Sequence, residues 1–588
     1  MEQRIPGFSA PLAEPAYAER VALPQHRAID LQRMGRLALG YLARNPVPER
    51  DYQCRFTIAP LNCPPHKQEQ DHPSGNIDPI AIGDTESRND VAFGMMRELT
   101  GDLVTGAESE EAVHRRLLTY IRSEGPYANL CWHQGYSAGE DSLERWASLW
   151  STGMLLHSEC LRYRRGQGDL ATARRLFEGV AAAAVRRNGR AYFHAGGAFF
   201  DAERVAEGYK GHYPTIMGPL CEYYLASGDQ RCYDLLTEVA EGFLHDLTPG
   251  MLHRPDGGVD GHNHVQLHAV RGMAQFAYLT GNPRYLRWVK DIYDFYRRWA
   301  LDTGWLPEIR DLADHSNHSE TCLNGDMHEV ALWLALAGYG ELWDQLDRNL
   351  RNYFCPAQLA VTPEVEALYR RANPSRSAQE IQDSLDLLRQ FEGGFISALT
   401  PNDRLFPVQE GGEHFATVEL EGRRVSFDMM GCCPPEGMRA VYYSWKYAVE
   451  ERPSGIHVHL PLNVDAPAAT VRTELPQAGR IAVTAKRAGC YYLRPPAWAP
   501  RERVRVLRGG METEPCWGSV NNEYLRFDGV LPGETVEICY PLLDAWQPAT
   551  VTPYEQPSQN YRFHWVGNTC VAVEPKGAYL PLYQDEIY

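Results

Sequence analysis

Two short stretches of this sequence carry residues suited to binding a soft metal ion. "HSNHSETCLNGDMHE" sets Glu320 one residue apart from Cys322, and "MMGCCPPEG", 110 residues beyond Cys322, sets Cys432 beside Cys433. Adjacent cysteines cannot easily bond to each other without strain, and no helix or strand needs such a pair. Together the two stretches offer one carboxylate and three thiols, the four donors that a tetrahedral Zn²⁺ site takes. Thiolates are soft ligands and favour zinc over magnesium or calcium. Such a site has two forms. In the closed form the ion only ties two segments together. In the catalytic form one ligand doubles as a nucleophile, since metal binding removes the proton that keeps a free thiol nearly inert at neutral pH.

The elements that must bring these stretches together are helical. Trp146, Leu149, Trp150 and Met154 form one apolar stripe, and Tyr285, Trp288, Ile292 and Phe295 another. A weak repeat runs through Gly168-Asp169, Gly228-Asp229, Gly281-Asn282 and Gly340-Glu341, at steps of 60, 53 and 59 residues. Glycine stops one helix and the acid or amide starts the next, so each step holds two helices and their connections. A serial array of this kind is either a solenoid or a closed toroid. Irregular units with aromatic, His-rich connections favour the toroid, an (α/α)6 barrel whose mouth collects loops. Near residue 453 the pattern turns to short alternating stretches such as "GIHVHLPLNV" and "GRIAVTAK", parted by Pro, Gly and Asn turns, which reads as a β-sandwich. The expected organisation is a multidomain α+β chain: an N-terminal extension over 1–25, an (α/α)6-barrel catalytic domain over 26–452, and a β-sandwich over 453–588. A polar helical insertion at about 362–392 would serve as a lid or a packing element.

Composition narrows the function. The chain has 588 residues, enough for two or three domains. Its 76 acidic against 58 basic residues give a formal charge of −18, which sets it against nucleic acid. The longest run of small apolar residues, "GVAAAAV" at 179–185, is far too short to span a membrane. The first residues lack a basic-then-apolar signal pattern, so a cytoplasmic location is expected. Fourteen scattered cysteines then read as free thiols, most of them small buried hydrophobes. The 32 tyrosines and 13 tryptophans supply the flat faces that sugar clefts use, although core packing accounts for most of them.

"FDMMGCCPPEGMRAVYYSWKYAV" followed by "GIHVHLPLN" resembles the β-L-arabinofuranosidase family of glycoside hydrolases, whose members carry a Cys-Cys-Pro-Pro turn, a helix and then the first strands of a β region. "DLADHSNHSETC" is similar to the family's Asp-Leu…Glu-Thr-Cys segment, and "LHAVRGM" at 267–273 to its His-Ala-Val-Arg helix start. "YLRPPAWAP" and "LPGETVEICYPL" resemble strands of its C-terminal sandwich. The resemblance implies a retaining glycosidase with zinc held by Glu320, Cys322, Cys432 and Cys433, and with Cys432 as nucleophile. Two displacements at the anomeric carbon would then retain configuration.

The family's acid/base is a glutamate in a loop upstream of Glu-Thr-Cys. That loop is shorter here, "DTGWLPEIRDLADHSNHSETC", and Glu308 is its one glutamate before Glu320, with Asp302 and Asp311 as the other candidates. By motif His268 would bond a sugar hydroxyl or orient a carboxylate; His262, His264, His315 and His318 gather in the same stretches. Pro219 stands where the family has a sugar-contacting histidine, and His212 in "KGHYP" is the candidate substitute. Trp132, His133 and Tyr136 form a stacking wall or part of the core. These departures bear on which sugar fits, because unmatched buried polar groups are costly. The expected partner is an oligosaccharide or glycoside, with no nucleic acid and no membrane; a homodimer is allowed. Two rivals stay open: a non-hydrolytic sugar-binding protein with a structural zinc, and a sugar epimerase or lyase on the same barrel.

Overall fold

The computed structural model describes residues 7–23, 28–61, 85–125, 127–132, 147–193, 215–246, 263–308, 318–408, 417–518, 522–552 and 557–583. In chain order its helices are α1 (Leu31–Arg44), α2 (Thr85–Thr100), α3 (Ala107–Thr119), α4 (Leu149–Arg164), α5 (Ala171–Ala183), α6 (Met217–Ser227), α7 (Gln230–Asp246) and α8 (Asn263–Thr280). There follow α9 (Pro283–Arg297), α10 (Thr321–Leu336), α11 (Leu342–Asn349), the single turn α12 (Cys355–Ala357), α13 (Pro363–Ala372), α14 (Ala378–Arg389) and α15 (Cys433–Lys446).

The ring closes. Helices α2, α4, α6, α8 and α10 pack side by side in that order, and α15 packs against both α10 and α2. Outside them α5 covers α4, α7 covers α6, α9 covers α8 and α11 covers α10, while α1 and α3 cover α2. This is the (α/α)6 barrel rather than a solenoid, because the array's last inner helix returns to its first.

Residue pattern explains which helix goes where. In α9 the buried residues Tyr285, Trp288, Val289, Ile292, Tyr293 and Tyr296 recur at three- and four-residue spacing, with Arg284, Arg287, Asp291 and Asp294 exposed between them. That one-sided stripe makes an outer helix. Every residue of α10 is buried, polar ones included. Those polar groups are bonded: to the neighbouring inner helix α15, where His328 Nε2 lies 2.8 Å from Ser444 Oγ and Glu329 accepts from Arg439 at 3.0 Å, and along α10 itself, where Glu329 accepts from Trp333 Nε1 at 3.1 Å. Where α6 crosses α8 the backbones nearly touch, and a Cβ on Gly272 would sit 2.4 Å from Gly218 N.

The hairpin turns follow the repeat. Gly228 (φ +66°) ends α6 and Asp229 accepts from the Arg231 N–H; Gly281 (φ +62°) ends α8 and Asn282 caps α9 by accepting from the Arg284 N–H. The other two repeats are displaced: the left-handed residues are Gly166 and Gly338, each two positions before the glycine expected. Gly340 has a different task, leaving room for the Glu523 carboxylate that approaches from the C-terminal region.

Helices α13 and α14 occupy the stretch expected as an insertion. Their buried residues Val365, Leu368 and Tyr369, and Ile381, Leu385 and Leu388, join the barrel core, so the pair is a packing element.

Two C-terminal sheets face each other around a separate core. One runs Val449–Arg452, Gly455–Val458, Gly489–Leu493, Tyr524–Val530, Trp517–Gly518; the other runs Val464–Asp465, Ala469–Thr473, Gly479–Ala485, Thr535–Tyr540, Arg505–Arg508, Met511–Thr513. In Gly479–Ala485 the buried Ile481, Val483 and Ala485 alternate with Arg480, Ala482 and Thr484, as a one-sided strand requires. A third sheet joins the chain ends. Gly7–Ser9 and Ala13–Ala18 pair antiparallel with Leu542–Val551, which continues into Gln559–Val566 and Thr569–Glu574. Its inner residues Tyr561, Phe563 and Trp565 belong to the barrel core. The N-terminal segment is therefore a stitch between barrel and C-terminal strands. Among the described residues no helix is long and apolar enough to cross a membrane.

Candidate active site

Closing the ring sets the start of α10 beside the start of α15. Glu320 is the extended residue before α10 and Cys322 lies in its first turn; Cys432 immediately precedes α15 and Cys433 opens it. Each of the four offers one ligand atom, and these atoms all lie within 4.8 Å of one another. Cys322 Sγ is 3.3 Å from Cys433 Sγ, and Cys432 Sγ is 3.9 Å from Cys433 Sγ. Zinc–sulfur bonds of about 2.3 Å at tetrahedral angles place sulfurs about 3.8 Å apart, so donor set and spacing both fit Zn²⁺.

Local bonds hold the two helix starts in place. Ser397 sits between them: its carbonyl accepts from the Thr321 N–H (2.7 Å), its N–H donates to Asp428 O (2.9 Å), and its Oγ accepts from the Met430 N–H (2.5 Å). Pro434 and Pro435 fall in the first turn of α15, where a helix leaves its N–H groups unbonded anyway. Gly437 lets Phe395 pack directly on α15, since a Cβ there would come within 2.3 Å of the ring.

The sulfurs are not equivalent. Cys322 and Cys433 are fully buried and burial pushes their thiols up, whereas Cys432 keeps 8 % exposure. Hydrogen bonds with Cys322 and Cys433, with Arg88 and His264 nearby, hold the Cys432 thiol well below the usual range. Of the three sulfurs, only Cys432 keeps surface that can be reached. Both helix starts also point positive dipole ends at the cluster.

Two further carboxyl groups belong to this end of the barrel. The Glu308 N–H donates to His318 O (3.0 Å), a bridge joins Pro307 to Ser319, and His318 Nε2 lies 3.4 Å from Glu308 Oε2. That pairing sets Glu308, 8 % exposed, beside the start of α10. Burial, together with the charges of Glu308, Cys432 and Glu320, pushes the Asp428 carboxyl up to about 8. Asp302 is elsewhere engaged: it pairs with Arg297 and accepts from Gln547 Nε2 (2.6 Å), tying the barrel to the third sheet.

Inside the ring a second cluster adjoins the first. His264 Nδ1 is 2.6 Å from Asp326 Oδ2, and His264 Nε2 is 3.1 Å from Arg88. Arg88 bonds Glu436 Oε1 at 3.1 Å; Arg271 reaches both Glu436 (3.2 Å) and Asp326 (2.8 Å). Burial opposes ionisation of Glu436, yet Arg271 and Arg88 hold it down at about 2. His264, His268 and Asp326 lie close enough together to ligate an ion. Both nitrogens of His264 are engaged, however, and the guanidinium of Arg271 already neutralises Asp326, so this is a salt-bridged network and not a second metal centre. Trp150 lies over it, 4.1 Å from the His268 ring and 4.4 Å from the Arg88 guanidinium. The Asn263 side chain, His268 Nδ1 and Trp150 Nε1 are buried here with no hydrogen-bond partner among the described residues.

The structure thus brings together Glu320, Cys322, Cys432 and Cys433, sets Glu308 with His318 at the adjoining segment, and places His264 and His268 within the ring. His133, Tyr136, His212, His262, Asp311 and His315 lie outside the described residues; Trp132 is in the short strand Cys131–Trp132. Sequence reasoning missed Arg88, Asn263, Asp326, Asp428 and Glu436. For Arg88, Asp326 and Glu436 a signal existed: each is a charge on a helix that buries nearly all its residues. Asp428 and Asn263 gave none.

No protein-family profile matches the chain, and no curated protein matches it. Solved structures do. A GH127 β-L-arabinofuranosidase from Geobacillus stearothermophilus T6 superposes with a TM-score of 0.56 over 92 % of this chain and 85 % of its own, at 13 % identity. A second GH127 β-arabinofuranosidase gives 0.53 over 97 % and 85 %, also at 13 % identity, and a structure described as a glycoside hydrolase gives 0.52 over 94 % and 82 %, at 12 %. Barrel, C-terminal strands and their order along the chain together give this protein the fold of the GH127 β-L-arabinofuranosidases.

Proposed function

We propose that the protein is a retaining glycoside hydrolase that removes a terminal sugar, a β-L-arabinofuranoside or a close relative, with Cys432 as nucleophile and Glu308 as acid/base. The observation that carries this reading is the buried convergence of Glu320, Cys322, Cys432 and Cys433 at the starts of two inner helices, on a fold shared with solved enzymes of that activity. Glu320, Cys322, Cys432 and Cys433 would hold Zn²⁺, which when bound keeps the sulfurs deprotonated.

The chain's own residues supply the remaining steps. Cys432 Sγ, the reachable sulfur, forms a bond to the anomeric carbon as the glycosidic C–O bond breaks. Glu308 gives its proton to the departing oxygen. In the second step Glu308 takes a proton from water, whose oxygen attacks the anomeric carbon as the C–S bond breaks and returns the electron pair to sulfur. Two inversions give retention, as in paired-carboxylate enzymes with sulfur in place of one carboxylate. Of the three sulfurs, Cys432 alone keeps exposed surface.

The test is a screen of aryl glycosides, including 4-nitrophenyl β-L-arabinofuranoside, with metal analysis of the wild type and of Cys432→Ser. Expected are about one zinc per chain, activity lost in the variant, and a sugar adduct on the Cys432 peptide after quenching. A wild type that hydrolyses glycosides without zinc ends the metal reading, and a fully active Cys432→Ser ends the nucleophile reading. Zinc with no turnover of any glycoside favours the non-hydrolytic alternative.

A further inference from the structure

Resting on the glycosidase reading above, we infer that Asn263 reads two neighbouring hydroxyls of the bound sugar, with the Trp150 indole N–H contacting a third oxygen. Asn263 opens α8 and is fully buried, yet among the described residues neither Oδ1 nor Nδ2 has a hydrogen-bond partner. Because both ends are unpaired, the conclusion does not depend on which is oxygen and which is nitrogen. The next residue, His264, is locked between Asp326 and Arg88, so the start of α8 is fixed inside the ring. Trp150 is 5 % exposed with Nε1 unpaired, and its ring lies 5.5 Å from that of His264 and 4.1 Å from that of His268.

Unpaired buried amide and indole groups cost stability; other inner-helix side chains, Gln275 and His328 among them, leave one atom unpaired, but among the described residues Asn263 alone is unpaired at both ends of an amide. A carboxamide that is left open on both ends and held by a rigid helix start is a recognition group. It offers one acceptor and one donor about 2.3 Å apart, a spacing that two adjacent hydroxyls can span, one donating to Oδ1 and the other accepting from Nδ2. A carboxylate in their place would leave Oδ1 facing a second acceptor. The substrate class is therefore a sugar with two free vicinal hydroxyls.

The experiment pairs Asn263→Leu, Asn263→Asp and Trp150→Phe with 4-nitrophenyl β-L-arabinofuranoside and its 2-deoxy and 3-deoxy analogues, in the zinc-loaded full-length enzyme. Asn263→Leu should lower kcat/KM roughly 10- to 100-fold on the parent, and much less on the analogue lacking the hydroxyl it reads. Its zinc content should be unchanged and its melting temperature equal or higher, since an unpaired polar group has been removed. A kcat/KM within twofold of wild type, or variant and deoxy losses that simply multiply, overturns the inference. If the wild type turns over no glycoside, the glycosidase reading fails separately and calorimetric titration with free L-arabinose decides this one. Binding to wild type that Asn263→Leu loses sustains it; equal binding to both, or to neither, overturns it.

Discussion

His114 gives a quantitative test of how the barrel holds its site. It lies on α3 with 6 % of its side chain exposed, Nδ1 2.9 Å from Asp90 on α2 and Nε2 3.0 Å from Glu159 on α4. Burial pulls its pKa down, but Asp90 and Glu159 more than compensate and raise it from 6.5 to about 10. A histidine whose folded pKa is raised stabilises fully below its unfolded pKa and loses that contribution as pH climbs through the folded one. The window is therefore pH 6.5 to about 10. A shift of that size is worth at most ~5 kcal/mol, and removing one partner of a buried ion set generally costs ~3–5 kcal/mol. Unfolding entropy of about 2.1 cal/mol/K per residue over 588 residues converts this to about 2–4 °C. The assay is thermal unfolding of wild type and His114→Asn at half-unit steps from pH 6 to pH 10.5. Only the difference between the two curves counts, because buried cysteines and tyrosines titrate in both. The gap should be widest at pH 6 and vanish near pH 10. A gap that stays constant, or widens with pH, refutes a protonated His114 bridging α2 and α4, the helices that carry Arg88 and Trp150.

Other expectations follow from the same geometry. Gly272→Ala places a Cβ 2.4 Å from Gly218 N, so it should destabilise by about 2–3 kcal/mol or more, read as a lower melting temperature and an incompletely closed barrel. Cys433→Ala removes a fully buried donor from the four; metal analysis should find the zinc lost, and added chelator, which lowers the wild-type melting temperature, should leave the variant's unmoved. Glu308→Gln should keep zinc and melting temperature yet lose roughly 10²- to 10⁴-fold in kcat, with azide restoring part of the turnover of activated aryl substrates; unchanged kcat assigns the acid elsewhere.

Much of this arrangement could be read from residues alone, for identifiable reasons. The Gly228-Asp229 and Gly281-Asn282 steps mark real helix ends because a left-handed residue followed by an N-cap is a local requirement. The cysteine pair and Glu-x-Cys were legible as a candidate donor set because in combination they supply the one carboxylate and three thiols that a tetrahedral zinc site can take. What stayed hidden was non-local. Nothing in "GFSA" predicts pairing with a strand more than 500 residues away, and Asp428 looks like any loop acid until Glu308, Glu320 and Cys432 are placed around it. Asn263 has no sequence signature at all, since its significance is the absence of partners.

The position of the four donors proposed for zinc ties that site to closure of the fold. Cys322 and Cys433 are 111 residues apart and become neighbours only because α15 occupies the gap between α10 and α2. The Arg88–Glu436 bond crosses the α2–α15 side of that gap, and the Cys322–Cys433 contact crosses the α10–α15 side. An open solenoid of the same helices would present Glu320 and Cys322 on one end and Cys432 and Cys433 on another, with no site. An ion that binds all four donors favours the closed ring over every open form, by an amount set by its concentration relative to its dissociation constant. The same closure sets Arg88 near the Cys432 sulfur, so the charge network at the seam also acts on the proposed nucleophile. Loosening the seam should therefore cost activity before it costs the barrel.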